Sequence, residues 1–328
     1  MPQRQLYCVV TGCTGIRSTT IEESYSNITA SAVIECSSST LSMGNLITIN
    51  MGYVADHAIM FKGYVKKIER QRPENIIRIT ANDLLIRAVD YFLAADNPQE
   101  PYQYNDISSL NLIKELLSLA GITNVTNTEP TPVFTWGTNA DGARFNLQSV
   151  AEACQFVAGI SGNTLYYDIA LDEVEFTNRK PYAVDSDTPL ATWTTGDNQQ
   201  LTGITYEQST DKTRNRVKVY GRGDITALAE ASNPYLVVDQ TLVIGHEMLD
   251  TQAIADGTAQ VNLELLNHLG ETYTLDLEGI VGLHARQIYL LTESFTGTSN
   301  RKVFVYQVSH SLDESGFISH VTAIPKPD

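Results

Sequence analysis

The chain carries one β-rich pattern twice, once near each end and about 240 residues apart, and a repeat constrains architecture before any single motif does. The first copy runs from Leu46 to Ala81 and the second from Gln287 to Ala323. Each reads strand, polar turn, strand, polar turn, strand. In the first, Leu46, Ile47 and Ile49 lead to a turn, Phe61 to Ile68 forms a second run, and Ile76 to Thr80 a third after the breaker Arg72-Pro73-Glu74-Asn75. In the second, Ile288 to Leu291, Val303 to Val308 and Phe317 to Ala323 follow in the same order, with Asp313-Glu314-Ser315-Gly316 as the breaker. The period-two alternation, rich in Val, Ile, Tyr and Phe, is that of strands with one buried face. A further alternating stretch precedes each copy, Ile28 to Cys36 and Tyr273 to Glu278, which extends the match to four strands. The alignment needs a one-residue gap. Two unrelated antiparallel sheets could share this much, and duplication is the favoured reading.

At 328 residues the chain suggests two or three domains, and with 42% hydrophobic residues it can bury their cores. The 38 acidic against 22 basic residues give a formal net charge of -16. Such a charge repels phosphate backbones and anionic lipid, so specific nucleic-acid binding is not expected, because that affinity comes largely from cations neutralising phosphates. Met1-Pro2-Gln3-Arg4 leads into a strand-like apolar run rather than a secretory leader. No apolar stretch approaches the roughly 18 residues of a membrane-spanning helix, so no membrane partner is expected. Cys8, Cys13, Cys36 and Cys154 lack metal-site spacing and sit among apolar or small neighbours, which points to reduced, structural thiols.

Along the chain, residues 1 to about 82 read as β. Asp83 can cap a following helix with Leu84, Leu85, Ala88, Val89 and Phe92 on one face, stopping at Asp96-Asn97-Pro98. The middle third changes character. Asp106 or Ser108 can cap a helix carrying Leu110, Ile113, Leu117 and Ala120, with Gly121 at its end. A second helix begins near Asn146, with Leu147, Val150, Ala151, Cys154 and Val157 inward, and stops at Gly159-Ile160-Ser161-Gly162. A hairpin of Thr164 to Asp168 and Glu173 to Phe176 follows, turning near Leu171-Asp172. The last third holds strands at Ile204 to Glu207, Arg216 to Tyr220 and Leu236 to Ile244, then a helix over Asp250 to Leu269 with Ala255, Ala259, Leu263 and Leu266 on its face. The fold class expected is mainly β with an α+β insert, two tube-like β-barrel domains flanking a small mixed module. The domains are expected at 1–95 for the first barrel and its trailing helix, 96–200 for the insert, and 201–328 for the second barrel.

The constellations of an enzyme are missing from this sequence. Of His57, His246, His268, His284, His310 and His320, no pair has the spacing that places two imidazoles on one helical face, and Asp250 stands where a partner of His246-Glu247 would be needed. Gly159-Ile160-Ser161-Gly162 follows a helix rather than a strand, unlike a nucleophile elbow. Gly221-Arg222-Gly223 lacks the third glycine of a dinucleotide loop, because Thr226 holds that place, and Arg222-Gly223-Asp224 is a lone adhesion-type tripeptide in a turn. Asp172, Glu173 and Glu175 lie in a hairpin without the oxygen ligands or glycine of a calcium loop. No catalytic, cofactor-binding or metal-ligating residue is assigned, no cofactor is expected, and the chain is read as not an enzyme.

Met43 to Ile49, Phe61 to Val65, Ile79 to Leu85 and Arg214 to Gly221 are together similar to segments of a known family, the baseplate hub proteins of phage tails (late control protein D or gp27-like proteins), whose fold is shared by the N-terminal part of type VI secretion VgrG spikes. Met43-Gly44-Asn45-Leu46-Ile47-Thr48-Ile49 resembles the family's turn into its second strand, where Asp is more usual than Asn45. Phe61-Lys62-Gly63-Tyr64-Val65 resembles its F-x-G-x-[IV] strand, and Ile79 to Leu85 its strand-to-helix junction. Arg214-Asn215-Arg216-Val217-Lys218-Val219-Tyr220-Gly221 resembles its N-x-V-x-V-x-G strand. The resemblance spans nearly the whole chain. It implies a homotrimer in which two barrels per subunit make a pseudo-six-fold ring that adapts a hexameric tail tube to a trimeric spike. The partners implied are the tail tube protein, a separate spike protein and other baseplate proteins, in a virion tail assembled in the host cytoplasm. The sequence ends at Ile324-Pro325-Lys326-Pro327-Asp328, just after the second β unit, and the separateness of the spike is expected on that ground. Alternatives are a single-ring tube component such as a distal tail or tube-cap protein, which predicts a hexamer with one barrel per chain, a cell-wall hydrolase, and last a surface adhesin.

Overall fold

The structure, a computed structural model, describes residues 4–95, 101–130, 133–138, 142–178, 181, 188–195, 201–268 and 270–326. The expected stop at Asp96-Asn97-Pro98 lies outside them. The N-terminal unit has strands β1 (Leu6–Val10), β2 (Cys13–Ser24), β3 (Ser31–Ser39), β4 (Leu46–Tyr53), β5 (Asp56–Gln71) and β6 (Ile76–Asn82). Helices α1 (Ile86–Asp90), α2 (Ser109–Leu119) and α3 (Val150–Ile160) follow, then the hairpin β7 (Thr164–Asp168) and β8 (Glu173–Thr177). After β9 (Thr192–Thr194) and β10 (Leu201–Ser209) come β11 (Arg216–Tyr220), β12 (Thr226–Glu230), β13 (Thr241–Gly245) and α4 (Gln252–Leu266). The chain closes with β14 (Gly270–Glu278), β15 (Ile288–Glu293), β16 (Thr298–Asp313) and β17 (Gly316–Pro325).

The repeat is visible in the hydrogen bonding. The first unit is ordered β1-β4-β5-β6-β3-β2 and the second β9-β15-β16-β17-β14-β10, within one 12-stranded sheet. Each strand of the first has a counterpart at the same place in the second. The irregularities coincide too: register shifts fall between Ile16 and Ser18 and between Leu201 and Gly203, and again between Val65 and Lys67 and between Val305 and Gln307. An extra residue at matching places in two long strands bends both sheets alike. One difference is the first strand, since β1 runs antiparallel to β4 whereas β9 runs parallel to β15.

Each unit curls round a core of its own. Val10 of β1 and Ile21 of β2, strands at opposite ends of the first order, share a core with Ile34, Ile49, Met51 and Phe61. Trp193 of β9 and Leu201 of β10, the ends of the second order, share another with Tyr273, Leu291, Val305 and Val321. The two curled sheets join where β2 pairs antiparallel with the C-terminal half of β16, from Thr19 opposite Leu312 to Ser24 opposite Gln307. A third core belongs to the mixed module, and it gathers Leu116, Val157 and Phe176 together with Val219 and Ile254. The segment from β11 through α4 therefore leaves the second barrel after β10, packs on the helices of the insert, and returns at β14.

The mainly β class with a small helical module is the observed one. Several local expectations are corrected. The helix after Asp83 spans only Ile86–Asp90, because Phe92–Leu93 turns to pair with Gln148–Ser149; Phe92 and Val89 face out. Ser108, not Asp106, caps α2 by accepting from Asn111 N. Ser149 caps α3 in a capping box with Glu152, and Leu147, expected inward, has φ +55 and is 72% exposed. The strand over Leu236 to Ile244 begins only at Thr241, since Val237 and Val238 point into solvent, and Thr251 caps the last helix, shortening it to Gln252–Leu266.

Two glycines of the strand motifs have a steric reason. A Cβ on Gly63 would meet Asn82 O at 2.2 Å, and one on Gly221 would meet Leu249 O at 2.2 Å; backbone atoms cannot swing away as side chains do. Gly63→Ala is expected to destabilise the protein by about 1–3 kcal/mol, the usual cost of overpacking. Gly159→Ala, at a helical site with open space around it, should not destabilise, because alanine is the better helix former. Urea unfolding midpoints of the two variants check this.

Candidate functional site: the polar junction between the barrels

Where β2 meets β16, alternation sends Ile21 and Glu23 inward from one strand and Val308, His310 and Leu312 inward from the other. Most of these positions hold apolar residues. Glu23 and His310 do not, and they anchor a buried polar cluster that also draws on Asp83, Tyr166, His284 and Arg286. A cavity of about 140 Å³ is lined by Glu23, Asp83, Tyr166, Asp168, His284 and Arg286, so the first barrel, the second barrel and the insert hairpin all contribute walls.

Glu23 accepts from His284 Nδ1 at 2.9 Å and from Ala285 N at 3.2 Å. Burial pushes this carboxyl up, but the His284 charge and hydrogen bond override it and hold Glu23 below the usual carboxylate range. The same contact raises His284 against its own burial, so the two form an ion pair. Arg286, at φ +72 and 5% exposed, donates from Nη2 to Ser24 O at 3.0 Å and Tyr25 O at 3.4 Å. Its guanidinium lies 4.5 Å from the Tyr166 ring centroid, tying the hairpin β7–β8 to the junction. Burial lowers its pKa, and Tyr166 and Glu23 act to raise it.

Asp83 accepts from Ala30 N at 2.7 Å and Leu85 N at 3.0 Å. It thus fixes the turn before β3 against the exit from β6. Burial pushes its carboxyl up to about 7, against the pull of those two donors. His310 is fully buried, with Nε2 2.8 Å from Leu283 O and Nδ1 2.8 Å from Ser319 Oγ. A carbonyl only accepts, so Nε2 carries the proton and Nδ1 accepts from the serine hydroxyl. Burial brings its pKa down to about 4.

Chemically the cluster is a clamp. Backbone carbonyls, backbone N–H groups and one another take up most of its polar groups, although the buried Arg286 Nε has no hydrogen-bond partner among the described residues, and Glu23, His284 and Arg286 join segments more than 250 positions apart in the chain. A second tie runs over the surface, where Lys62 of β5 meets Asp172 at 2.6 Å and Tyr167 also donates to Asp172.

The other singled-out residues lie elsewhere. His246 sits in the turn after β13, with Nδ1 accepting from Met248 N at 3.1 Å and the ring 4.1 Å from that of Phe156. Arg222-Gly223-Asp224 is the tight turn between β11 and β12, with Gly223 at φ +64. Gly159 to Gly162 ends α3, and Glu175 accepts from Tyr166 Oη across the hairpin. The four cysteines form no disulfide; burial pushes Cys154 up strongly and Cys36 up to about 12, which makes these two poor nucleophiles. Among the described residues, no group of three His, Cys, Asp or Glu side chains is placed to hold a metal ion. Sequence reading did not assemble Glu23, Asp83, His284, Arg286 and His310. The available signal was their position: Glu23 two residues after Ile21 and His310 between Val308 and Leu312 occupy inward slots.

Comparison with known proteins places the fold. No protein-family model matches the chain, and no curated protein is similar to it in sequence. Among solved structures it is similar to the tail protein from Neisseria meningitidis MC58, with a TM-score of 0.71 at 13% identity over 98% of this chain and 96% of that one. The 43 kDa tail protein of prophage MuSo2 from Shewanella oneidensis gives 0.64 at 14% identity, covering 97% of both chains. An E. coli component of the type VI secretion system, itself structurally similar to the T4 bacteriophage tail proteins gp27 and gp5, gives 0.61 at 9% identity over 98% of this chain and 77% of that one.

The junction predicts a pH dependence. An unfolded histidine protonates near 6.5, whereas His310 in the fold resists protonation until about 4. Between those values the unfolded state binds more protons, so stability falls as pH falls. In His310→Gln, where the amide can still donate to Leu283 O, this contribution is absent. The stability difference between parent and variant should shift against the parent by on the order of 3 kcal/mol from pH 7 to 4. Urea titrations at a series of pH values measure it, and subtraction removes the opposite trend of His284.

Proposed function

We propose that this chain, which has the fold of phage-tail and type VI hub proteins, is a structural baseplate hub: a homotrimer whose two barrels per subunit make a ring of six similar units. The observation that carries this reading is the internal equivalence, because two units with the same strand order and the same two bulges are what a three-subunit object needs to offer six similar positions. On this reading the ring meets a hexameric tail tube on one side and a trimeric spike on the other, and other baseplate proteins bind its rim. It sits in the tail of a virion or tail-like particle assembled in the host cytoplasm. The role is not enzymatic. The single-ring alternative is disfavoured because each chain supplies two units rather than one. As domains we propose 1–95 for the first barrel with its trailing helix, 96–200 for the insert apart from β9, which pairs into the second barrel, and 201–328 for the second barrel, whose β11–α4 excursion shares the insert's core.

Two features support the docking face. The β4–β5 and β15–β16 turns are equivalent, and each presents an apolar residue to solvent, Val54 at 50% and Phe295 at 94% exposure. In a ring they would stand as six tips on one side, suited to an apolar collar against the tube.

Light scattering at high protein concentration is expected to give the mass of three 36.1 kDa chains. A hexamer, or a monomer at every concentration, overturns the proposal. Phe295→Asp is expected to leave that mass unchanged and to weaken co-sedimentation with assembled tail tubes at least tenfold; unchanged binding would remove these tips from the docking face.

A further inference from the structure

In a duplicated chain, a contact between the two copies implies a second contact of the same kind. Unit one joins unit two through β2 and the C-terminal half of β16. The counterpart of β2 is β10, and the counterpart of the C-terminal half of β16 is the C-terminal half of β5, residues 66–71. Both counterparts have one edge unused. β2 is paired on both sides, with β3 and β16, whereas β10 pairs only with β14 among the described residues. Residues 307–312 of β16 are paired on both sides, with β17 and β2. Residues 67–71 of β5 pair only with β6 among the described residues, because β4 reaches no further than Tyr64.

We propose that these two edges pair with each other between copies of the chain, β10 of one subunit against the tail of β5 in the next, and that this strand pairing closes the hub ring. The inference rests on the trimer reading above and adds its contact and register. The equivalences fix that register residue by residue. Both Ile21 and Tyr206 lie opposite residues paired to an alanine, Ala81 and Ala323 respectively, so Tyr206 corresponds to Ile21. Val65 and Val305 are each followed by the bulge, so Arg70 corresponds to His310. Because Ile21 faces His310 within the chain, Tyr206 is placed opposite Arg70 of the next copy and Thr205 opposite Gln71.

Burial agrees with this pairing, and charge does so in part. Ile21 and His310 are fully buried by the pairing they have, while Tyr206 is half-buried and Thr205, Glu207, Arg70 and Gln71 are exposed. A long strand with unpaired N–H and C=O groups invites another chain. The tail from Lys66 to Arg72 holds four cations and one carboxylate in a chain of net charge -16. Against it β10 brings Glu207, which in this register stands directly opposite Glu69, a like-charge pair that disfavours the contact, with Lys67, 3.0 Å from Glu69, on the diagonal to offset it. The contact is head-to-tail, so it makes a closed ring only if its rotation closes. Repeating the internal step is what makes three subunits sufficient.

The test is a register-specific cross-link in the full chain. Facing residues of antiparallel strands have Cα atoms about 4.5–5.5 Å apart, within the reach of a disulfide. The double variant Thr205→Cys with Gln71→Cys, both exposed positions, is oxidised and run without reductant. The expected result is conversion of the single-chain band to a covalent trimer of 36.1 kDa chains that collapses on reduction. The single variants should stay as single chains, which also reports any bridge through Cys8 or Cys13. Thr205→Cys with Glu69→Cys, two residues out of register, should not link. Light scattering on the same samples separates the two levels. A trimer by mass that fails to cross-link, or links only out of register, overturns the strand pairing and leaves the hub reading standing. Absence of a trimer by mass overturns both, and an open ladder of covalent multimers overturns closure.

Discussion

The backbone pairing of β2 with β16 is the contact on which the rest of the molecule depends. Without it each barrel would present a bare strand edge, and the side chains beneath that edge, Ile21 and His310, would lose cover that helps to bury them completely. Buried backbone groups left unpaired cost about 1–3 kcal/mol each, so the junction cannot open one bond at a time without exposing its core to water. The pairing also sets Glu23 beside His284, and Arg286 beneath the carbonyls at the end of β2. The insert hairpin then has something to pack on, since Tyr166 lies over the same guanidinium.

A junction of this kind could have been built from leucine and phenylalanine. Replacing a buried ion pair by well-packed apolar residues is often neutral or stabilising, so net stability is a weak account of this one. Geometry is a better one. Apolar side chains tolerate sliding, whereas Arg286 must find the carbonyls of Ser24 and Tyr25, and Glu23 must find both His284 Nδ1 and Ala285 N. A slip of one residue between β2 and β16 would leave those charges buried and unpaired. The cluster therefore fixes the register between two barrels whose relative position matters wherever one chain must supply two equivalent places.

The sequence made the repeat legible because strand alternation is local: the runs at Phe61 to Ile68 and Val303 to Val308 can be read from neighbours alone. The hairpin at Thr164 to Phe176 and the helix carrying Leu110, Ile113 and Leu117 were legible for the same reason. What failed was set by distant partners. Phe92 fits a helical face, but Gln148–Ser149 draws it into a strand pair. Leu147 fits one too, but the capping box of Ser149 and Glu152 starts the helix after it and leaves Leu147 outside. The polar junction was hidden most deeply, because Glu23 and His284 are more than 250 positions apart and nothing in the local pattern of either announces the other. The excursion from β11 to α4 was invisible as such, for alternating Val217 and Val219 fit a barrel wall as well as the face that packs on the insert.

The two units are alike in their sheets and unlike in what is attached to them. The connection from β2 to β3 is a turn over residues 25–30, whereas its counterpart from β10 to β14 holds three strands and a helix. β6 leads into the helical insert, and β17 is followed by no further element among the described residues. The decorations therefore fall at different places on the two units, while the strand orders and bulges match. In the proposed ring, a barrel bearing the long excursion would alternate with one that lacks it, so the wall could follow six-fold contacts while the periphery keeps a three-fold pattern. In that ring, duplication followed by insertion would give both symmetries to one chain, because a sheet's register tolerates growth at its connections and not within its strands.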